Sequence, residues 1–332
     1  MAEPLRVALL GLWHVHALGY AADVRERPDT RLAAVWDDDV ARGREGAQQL
    51  GVENASDLDA LLARDDIDAV IVTTATKAHH EVIAKAARAG KHVFTEKMLA
   101  PTVAECEDLA AVSAANNVTL TVSLPRLYEA MTLRIQQLIA DGALGAITYT
   151  RVRMAHDGWV KNWLPERFGN RSEAIGGALT DLGCHPAYLT QLFLGATPST
   201  ISASYTSVTG RDVEDNAVVT LTYPGGAIGV IEASNVTTPG AGTIEVRGTA
   251  GSLLSGFGNS ALVAKGDHFD PERWSELDLP DAGQSPLTQW VRAIRDGTDT
   301  HDNVRAAIEL TRLIVAANTA ATTGSTMDYT AG

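Results

Sequence analysis

Positive charge, cysteine and long apolar runs are all scarce in this chain. Its 27 lysines and arginines stand against 41 aspartates and glutamates, leaving a formal net charge of −14 at pH 7. A chain so acidic repels phosphate backbones and anionic lipid, so neither nucleic acid nor a membrane surface is an expected partner. No apolar run approaches the roughly 18 residues of a membrane span. The first residues, Met1-Ala2-Glu3-Pro4, enter a strand pattern without the basic region of a secretion signal. The 2 cysteines, Cys106 and Cys184, lie far apart in no metal-like spacing. That suits a reducing compartment, so no disulfide is expected and a cytoplasmic location is. What is present, 332 residues of which 45% are hydrophobic, describes a soluble globular protein long enough for two domains.

The pattern is organised around Gly90-Lys91-His92-Val93-Phe94-Thr95-Glu96-Lys97. A helix reading ends at the glycine, a short apolar strand follows, and a Glu-Lys pair stands where the strand stops. In an open parallel sheet the ligand crevice lies outside the carboxyl ends of the strands, so Glu96 and Lys97 are placed to face a ligand.

From the N-terminus, Leu5–Leu10 is an apolar run bounded by Gly11, as expected of a strand buried on both faces, and a helix reading runs over residues 15–27. This is the strand-turn-helix context of a dinucleotide site. The glycine fingerprint keeps its first member only, with Trp13 and His16 where the second and third belong. The second strand, residues 31–36, ends in Asp37-Asp38-Asp39. Asp37 falls near the roughly 20-residue offset at which a carboxylate meets the adenosine ribose; a carboxylate there repels a 2′-phosphate, which favours NAD over NADP. Asp38 and Asp39 read as helix caps. Beyond a third strand, residues 69–73, the small hydroxylated Thr74 and Thr76 let a nucleotide lie close, and His79 falls near the cofactor. The pairs His79-His80 and His14-x-His16 have ligand chemistry but no third ligand at supporting spacing, so no metal is expected. A capping box, Thr102 to Glu105, opens a helix to residue 115, Asn116-Asn117 turns the chain, and residues 118–123 form a further strand. This alternation specifies a Rossmann-type, doubly wound parallel sheet over residues 1–124.

Residues 125–332 read differently. A helix at 128–141 is followed by strands at 146–154, 200–207, 216–223, 227–234 and 243–247, with shorter ones to 264, and by helices at 285–295 and 304–323. Tight turns between neighbouring strands specify an α+β domain with an open, largely antiparallel sheet covered by helices on one face. Within it, Gly176-Gly177-Ala178-Leu179-Thr180-Asp181-Leu182-Gly183-Cys184-His185 enters a helix expected to run to residue 194. Asp181 and His185, at i and i+4, would share one face with Cβ atoms roughly 5–6 Å apart, an acid/base group held by its carboxylate neighbour. The segment from His156 through Trp159 and Trp163 to Arg167 mixes indole faces with groups that bind hydroxyls, as a sugar or polyol would require.

Taken together, the Gly90-to-Lys97 strand, Arg126 just beyond the next strand, and Gly176-Gly177 leading to Asp181-x-x-x-His185 resemble the Gfo/Idh/MocA family of sugar and polyol oxidoreductases, over essentially the full chain. The resemblance implies Lys97, Asp181 and His185 as the catalytic group. It implies cofactor contacts from Gly11, Trp13, His14, Val15, Asp37, Thr74, Thr76, His79 and Glu96, with Arg126, Tyr128 and Trp163 as further cofactor or substrate neighbours beside His156. NAD would then accept or donate hydride at a secondary alcohol carbon. The resemblance also implies a homodimer or homotetramer formed through the C-terminal sheet. The chain departs from the family at Met98, where a proline is usual and where a non-proline residue disfavours a cis bond by about 2.5–4 kcal/mol; at the single-glycine loop; and at Thr74-Ala75, where Thr-Pro is usual. Two other classes share the pattern: enzymes that cleave a glycosidic bond through transient oxidation by tightly held NAD, and non-catalytic sensors. Retention of all three catalytic side chains argues against the last.

Overall fold

The computed structural model describes residues 3–194, 197–258 and 260–329. The chain divides into two compact units, residues 1–123 with 286–311, and residues 124–285 with 312–332. The first crossing between the units falls between Ser123 and Leu124, whereas the expected division was at 124/125, and residues 286–311 return to the first unit. The outermost residues of both expected domains, 1–2 and 330–332, lie outside the described residues.

The first unit is built on β1 (Leu5–Leu10), β2 (Thr30–Trp36), β3 (Glu53–Ala55), β4 (Ala69–Val72), β5 (His92–Thr95) and β6 (Leu120–Val122), in the order β3-β2-β1-β4-β5-β6. Every adjacent pair is parallel. Parallel strands are covered by helices on both faces and so carry no polar side; all four residues of β4 are 0% exposed. The connecting helices are α1 (Ala17–Glu26), α2 (Val40–Leu50), α3 (Leu58–Leu62), α4 (His79–Arg88) and α5 (Val103–Ala115). Their ends are chemically specified. Asp39 accepts from the amides of Ala41 and Arg42 at the start of α2, and Thr102 and Glu105 close both halves of the capping box on α5. The α1 residues Ala17, Ala21 and Val24 pack into one core with Val7, Leu9 and Phe94. That core also takes Leu287, Trp290 and Val291, which explains the return of the chain. A fully buried indole represents about 3–5 kcal/mol against alanine.

The second unit carries α6 (Ala130–Ala140), β7 (Ile147–Ala155), the short helices α7 (Arg171–Ala174) and α8 (Ala178–Asp181), α9 (Cys184–Leu194), β8 (Thr200–Thr206), β9 (Asn216–Thr222), β10 (Ile228–Ser234), β11 (Ala241–Gly248), β12 (Gly251–Ser255), β13 (Val263–Gly266) and β14 (Ser275–Glu276). The chain then runs through α10 (Pro286–Asp296) and α11 (His301–Thr323) to β15 (Met327–Asp328). The sheet order is β14-β13-β12-β11-β7-β10-β9-β8-β15, antiparallel except where β10 lies parallel to β7. The apolar stripe Ala217, Val219, Leu221 and Tyr223 is buried. Its face is covered by α9: a side chain added at Gly229, beside Leu221, would meet Thr190 and Leu194. The opposite face is polar, with the Arg151 guanidinium on both carboxylate oxygens of Glu232 at 3.1 and 3.0 Å.

Candidate active site

In the first unit the neighbouring strands β1, β4 and β5 end side by side, bringing Gly11, Thr74 and Glu96 to one edge. Cross-strand bonds extend past the strand ends: Thr73 N donates to Leu10 O at 2.8 Å, His14 N to Thr73 O at 3.0 Å and Glu96 N to Val72 O at 3.0 Å. Gly11 must be glycine, since its φ is +93° and a Cβ there would lie 2.6 Å from the Thr74 amide nitrogen. Thr74 is 1% exposed, and its hydroxyl meets no hydrogen-bond partner among the described residues. Trp13, His14 and Thr76 are buried, whereas Val15 is 44% exposed. The expected helix start at residue 15 moves to Ala17, with His16 as its cap residue.

Asp37 occupies the end of β2. Its carboxylate accepts from Leu12 N at 2.6 Å and Asp39 N at 2.8 Å, and from Arg42 Nε at 3.0 Å. The carboxylate therefore braces the Gly11 loop and holds a guanidinium beside itself, a neighbour the spacing argument missed.

Glu96, 1% exposed, is the anionic centre of this edge. Burial pushes its carboxyl up, but the fields of His14, His16 and Lys97 and a hydrogen bond from His16 outweigh it and hold the group below the usual carboxylate range. His16 Nδ1 lies 2.9 Å and His14 Nδ1 3.8 Å from Oε1, and the Tyr20 hydroxyl donates to the same oxygen. Tyr20 and His16 carried no sequence signal for this; they reach Glu96 only because α1 packs against β5. Lys97, 5% exposed, donates its own amide to Glu96 Oε2 at 3.1 Å. The Lys97–Met98 peptide is cis, although the residue after Lys97 is not proline. His79 sits behind this corner at 1% exposure, its ring nitrogens 2.8 Å from Met98 O and 3.1 Å from Thr74 O, and burial lowers its basicity. Both nitrogens are engaged inside the unit, so His79 braces the corner. Lys91, of the same motif, is also structural, with Nζ on the carbonyls of Arg64 and Ile67.

In the second unit the helix expected over 178–194 is broken. α8 ends at Asp181 and α9 begins at Cys184, and Gly183 N bonds back to Ala178 O, five residues earlier. This widened turn removes the uninterrupted helix from which a shared face for Asp181 and His185 was inferred. Gly177 is required by the loop entering α8, because a Cβ there would lie 2.0 Å from Glu214 O. Glu214 is itself 7% exposed, and its carboxylate accepts from Gly177 N at 2.9 Å and Leu179 N at 3.0 Å, anchoring the start of α8. Burial raises its pKa despite those bonds.

His185 is 8% exposed, and its Nδ1 lies 2.9 Å from the hydroxyl of Tyr188, one turn along α9. Burial keeps Tyr188 protonated, and the same oxygen accepts from Arg126 N at 3.2 Å. The i, i+3 spacing of His185 and Tyr188 was the available signal for this pair. Arg126 also bonds Glu129 at 2.8 Å, and Tyr128 O receives Gly283 N at 2.8 Å. Further on, Trp159 is buried under the Arg211 guanidinium while Trp163 is 52% exposed. Trp163 lies with its ring 4.7 Å from that of His156 and donates Nε1–H to Asp157 at 2.9 Å. That bond and Lys161 bring the Asp157 carboxyl down to about 2.

A parallel sheet with a glycine-only first turn, a carboxylate at the second strand's end and a Glu-Lys pair at the fifth defines an NAD-dependent oxidoreductase. Residues 5–124 match the model of the oxidoreductase family with an NAD-binding Rossmann fold, and residues 132–254 match that family's C-terminal domain. The chain belongs to the Gfo/Idh/MocA family. It is 28% identical over 334 residues to scyllo-inositol 2-dehydrogenase (NAD(+)) of Bacillus subtilis (strain 168), covering 96% of this chain and 94% of that protein. It is 27% identical to dTDP-3,4-didehydro-2,6-dideoxy-alpha-D-glucose 3-reductase of Streptomyces antibioticus, covering 94% and 97% of the two chains. An inositol dehydrogenase homolog from Azotobacter vinelandii, solved with NAD+, superposes with a TM-score of 0.83 at 25% identity, covering 99% of this chain and 98% of that one. No helix among the described residues is long and apolar enough to cross a membrane.

Proposed function

We propose that this protein oxidises a secondary alcohol of a sugar or cyclic polyol, or reduces the matching ketone, with Lys97, Asp181 and His185 as its catalytic group. The observation that carries the reading is the end of β5, where a buried ammonium follows an ionised carboxylate on the strand neighbouring the unpartnered Thr74 hydroxyl. NAD fits that edge. Gly11 leaves room for close backbone approach, Asp37 directly follows the second strand as a ribose-binding carboxylate would, and the Thr74 hydroxyl lacks the partner a bound dinucleotide would supply. Trp13, His14, Val15, Thr76 and Glu96 complete the cofactor edge, and His79 acts on it through the carbonyls it holds. When bound, NAD accepts or returns the hydride.

His185 takes the hydroxyl proton in oxidation and returns it in reduction. Its Nδ1 lies against the Tyr188 hydroxyl, and the exchange is assigned to Nε2. Lys97 donates a hydrogen bond to the same substrate oxygen and stabilises the developing alkoxide; Asp181 orients the imidazole or a neighbouring hydroxyl. Tyr128, His156 and Trp163 bind substrate, the exposed indole stacking on the apolar face of a ring, and Arg126 lies toward the cofactor. The names of the relatives, an inositol dehydrogenase and a deoxysugar reductase, support this substrate class. The reading includes a cytoplasmic protein, supported by two free cysteines, and an oligomer joined through the polar face of the second sheet.

A panel of sugars and inositols with NAD and with NADP, followed by nicotinamide absorbance, tests the proposal. Turnover of at least one cyclic polyol or aldose with NAD is expected. Release of a sugar from a glycoside without accumulation of NADH would overturn it in favour of transient oxidation.

A further inference from the structure

The histidines of the turn after β1 gain in the fold what their spacing lacked. Glu96, arriving from β5, places a carboxylate oxygen against them, and the three ligand atoms of His14, His16 and Glu96 all lie within 4.8 Å of one another. We propose that these three residues form a binding site for a borderline divalent cation of the zinc class, and that NAD, sharing the same turn, competes with the ion.

The donor set is two imidazoles and one carboxylate, the combination that selects zinc, cobalt, nickel or iron over calcium and magnesium. Donors about 2.1 Å from a common ion stand about 3.0–3.4 Å apart for right-angled to tetrahedral geometry. The Glu96 Oε1 distances of 2.9 Å to His16 Nδ1 and 3.8 Å to His14 Nδ1 bracket that span, and the His14 ring closes on the ion by giving up the His16 amide it accepts at 3.3 Å. The surroundings hold them in place. The Tyr20 hydroxyl bonds both Glu96 Oε1 and Ser123 Oγ, the Lys97 amide holds Glu96 Oε2, and His14 N is tied to Thr73 O. Groups that orient metal ligands in this way typically contribute 10- to 100-fold in affinity. An entry path exists: His14 and Glu96 are buried, but the His16 side chain is 52% exposed and leaves a coordination position open to solvent. The competition with NAD rests on the proposed role of residues 11–15 in holding the cofactor; the metal site itself does not.

The test uses the full chain, tag-free and chelator-treated. Titration with ZnCl2 followed by calorimetry, and with CoCl2 followed by its visible ligand-field absorption, should show one equivalent bound without NAD or substrate. His16→Ala, at an exposed position, and His14→Ala should each weaken binding by at least about tenfold, while His80→Ala, on the exposed pair with Asp108, should leave it unchanged. Binding that is substoichiometric, or that survives both His14→Ala and His16→Ala, would overturn the site. Saturating NAD should raise the apparent Kd for zinc; an unchanged Kd would overturn the competition. Neither readout needs turnover, so failure here is distinct from failure of the dehydrogenase reading.

Discussion

In the first unit the sheet is parallel and β4 is buried on both faces, so its sequence is an unbroken apolar run. In the second, β9 and β10 alternate between buried and exposed, because one face meets α9 and the other stays polar. The two patterns carry different information about the site. A doubly covered parallel strand has one chemically distinctive place, its carboxyl end, and the polar residues that interrupt the apolar run there are Thr74, Glu96 and Lys97. An alternating strand reveals which face is covered, but the side chains proposed to act lie on the helical segment 178–194 and the loop before it. Their geometry depends on breaks and backbone contacts that no periodicity reports.

The sharpest way to break the comparison is to remove one proposed catalytic group from each unit. Lys97→Ala and His185→Ala should each lower kcat by about 10²- to 10⁴-fold with folding intact, as judged by circular dichroism. If only one of the two variants lost activity, the shared chemistry would be wrong. The cofactor edge is sharpened by Asp37→Ser, which removes the carboxylate proposed to meet the ribose and releases the Arg42 guanidinium. A charge-assisted hydrogen bond contributes about 1.5–3 kcal/mol, so the ratio of kcat/KM for NADP over NAD should rise by roughly 10- to 100-fold.

In the second unit the corresponding anchor is Glu214. Glu214→Ala leaves two amides at the start of α8 without their acceptor and should lower stability by about 1–3 kcal/mol in urea denaturation, whereas Glu214→Gln keeps an acceptor. The pH dependence has a definite sign. The folded pKa of Glu214 is raised by burial above its unfolded value, so the ionised form is disfavoured in the fold. Its stability penalty holds at neutral pH and fades as pH falls through the folded pKa, and Glu214→Gln should abolish that portion of the pH profile. Tyr188→Phe removes one neutral hydrogen bond to His185, about 0.5–1.5 kcal/mol; it should lower kcat by up to about tenfold with little change in KM. The smallest effect concerns Cys106, whose thiol burial pushes up to about 11. It should resist a thiol-specific chromogenic reagent at pH 8 in the native protein and react on unfolding.

Much of this was legible beforehand, and the failures share a cause. The alternation of strands and helices, the capping box at Thr102 and the Glu-Lys pair at a strand end are local signals, written within a few residues and enforced by hydrogen bonding and burial. The discontinuity of the first unit was not, because Leu287, Trp290 and Val291 look like any amphipathic helix until the core they complete is known. The same holds for the break between α8 and α9. An i, i+4 spacing implies one face only if the intervening bonds run i→i−4, and at Gly183 one runs five residues back.

The sequence alone therefore determined the parallel sheet, the position of its carboxyl edge and the residues that carry charge to it, since these follow from composition and periods of two and 3.6. Tertiary structure alone decided the partners of those charges: Arg42 beside Asp37, Tyr20 and His16 on Glu96, Tyr188 against His185, Glu214 under Gly177. Pairs such as Glu96 with Tyr20 are far apart in the chain, and only the packing of whole elements fixes which polar groups must share a buried space, where each needs a partner.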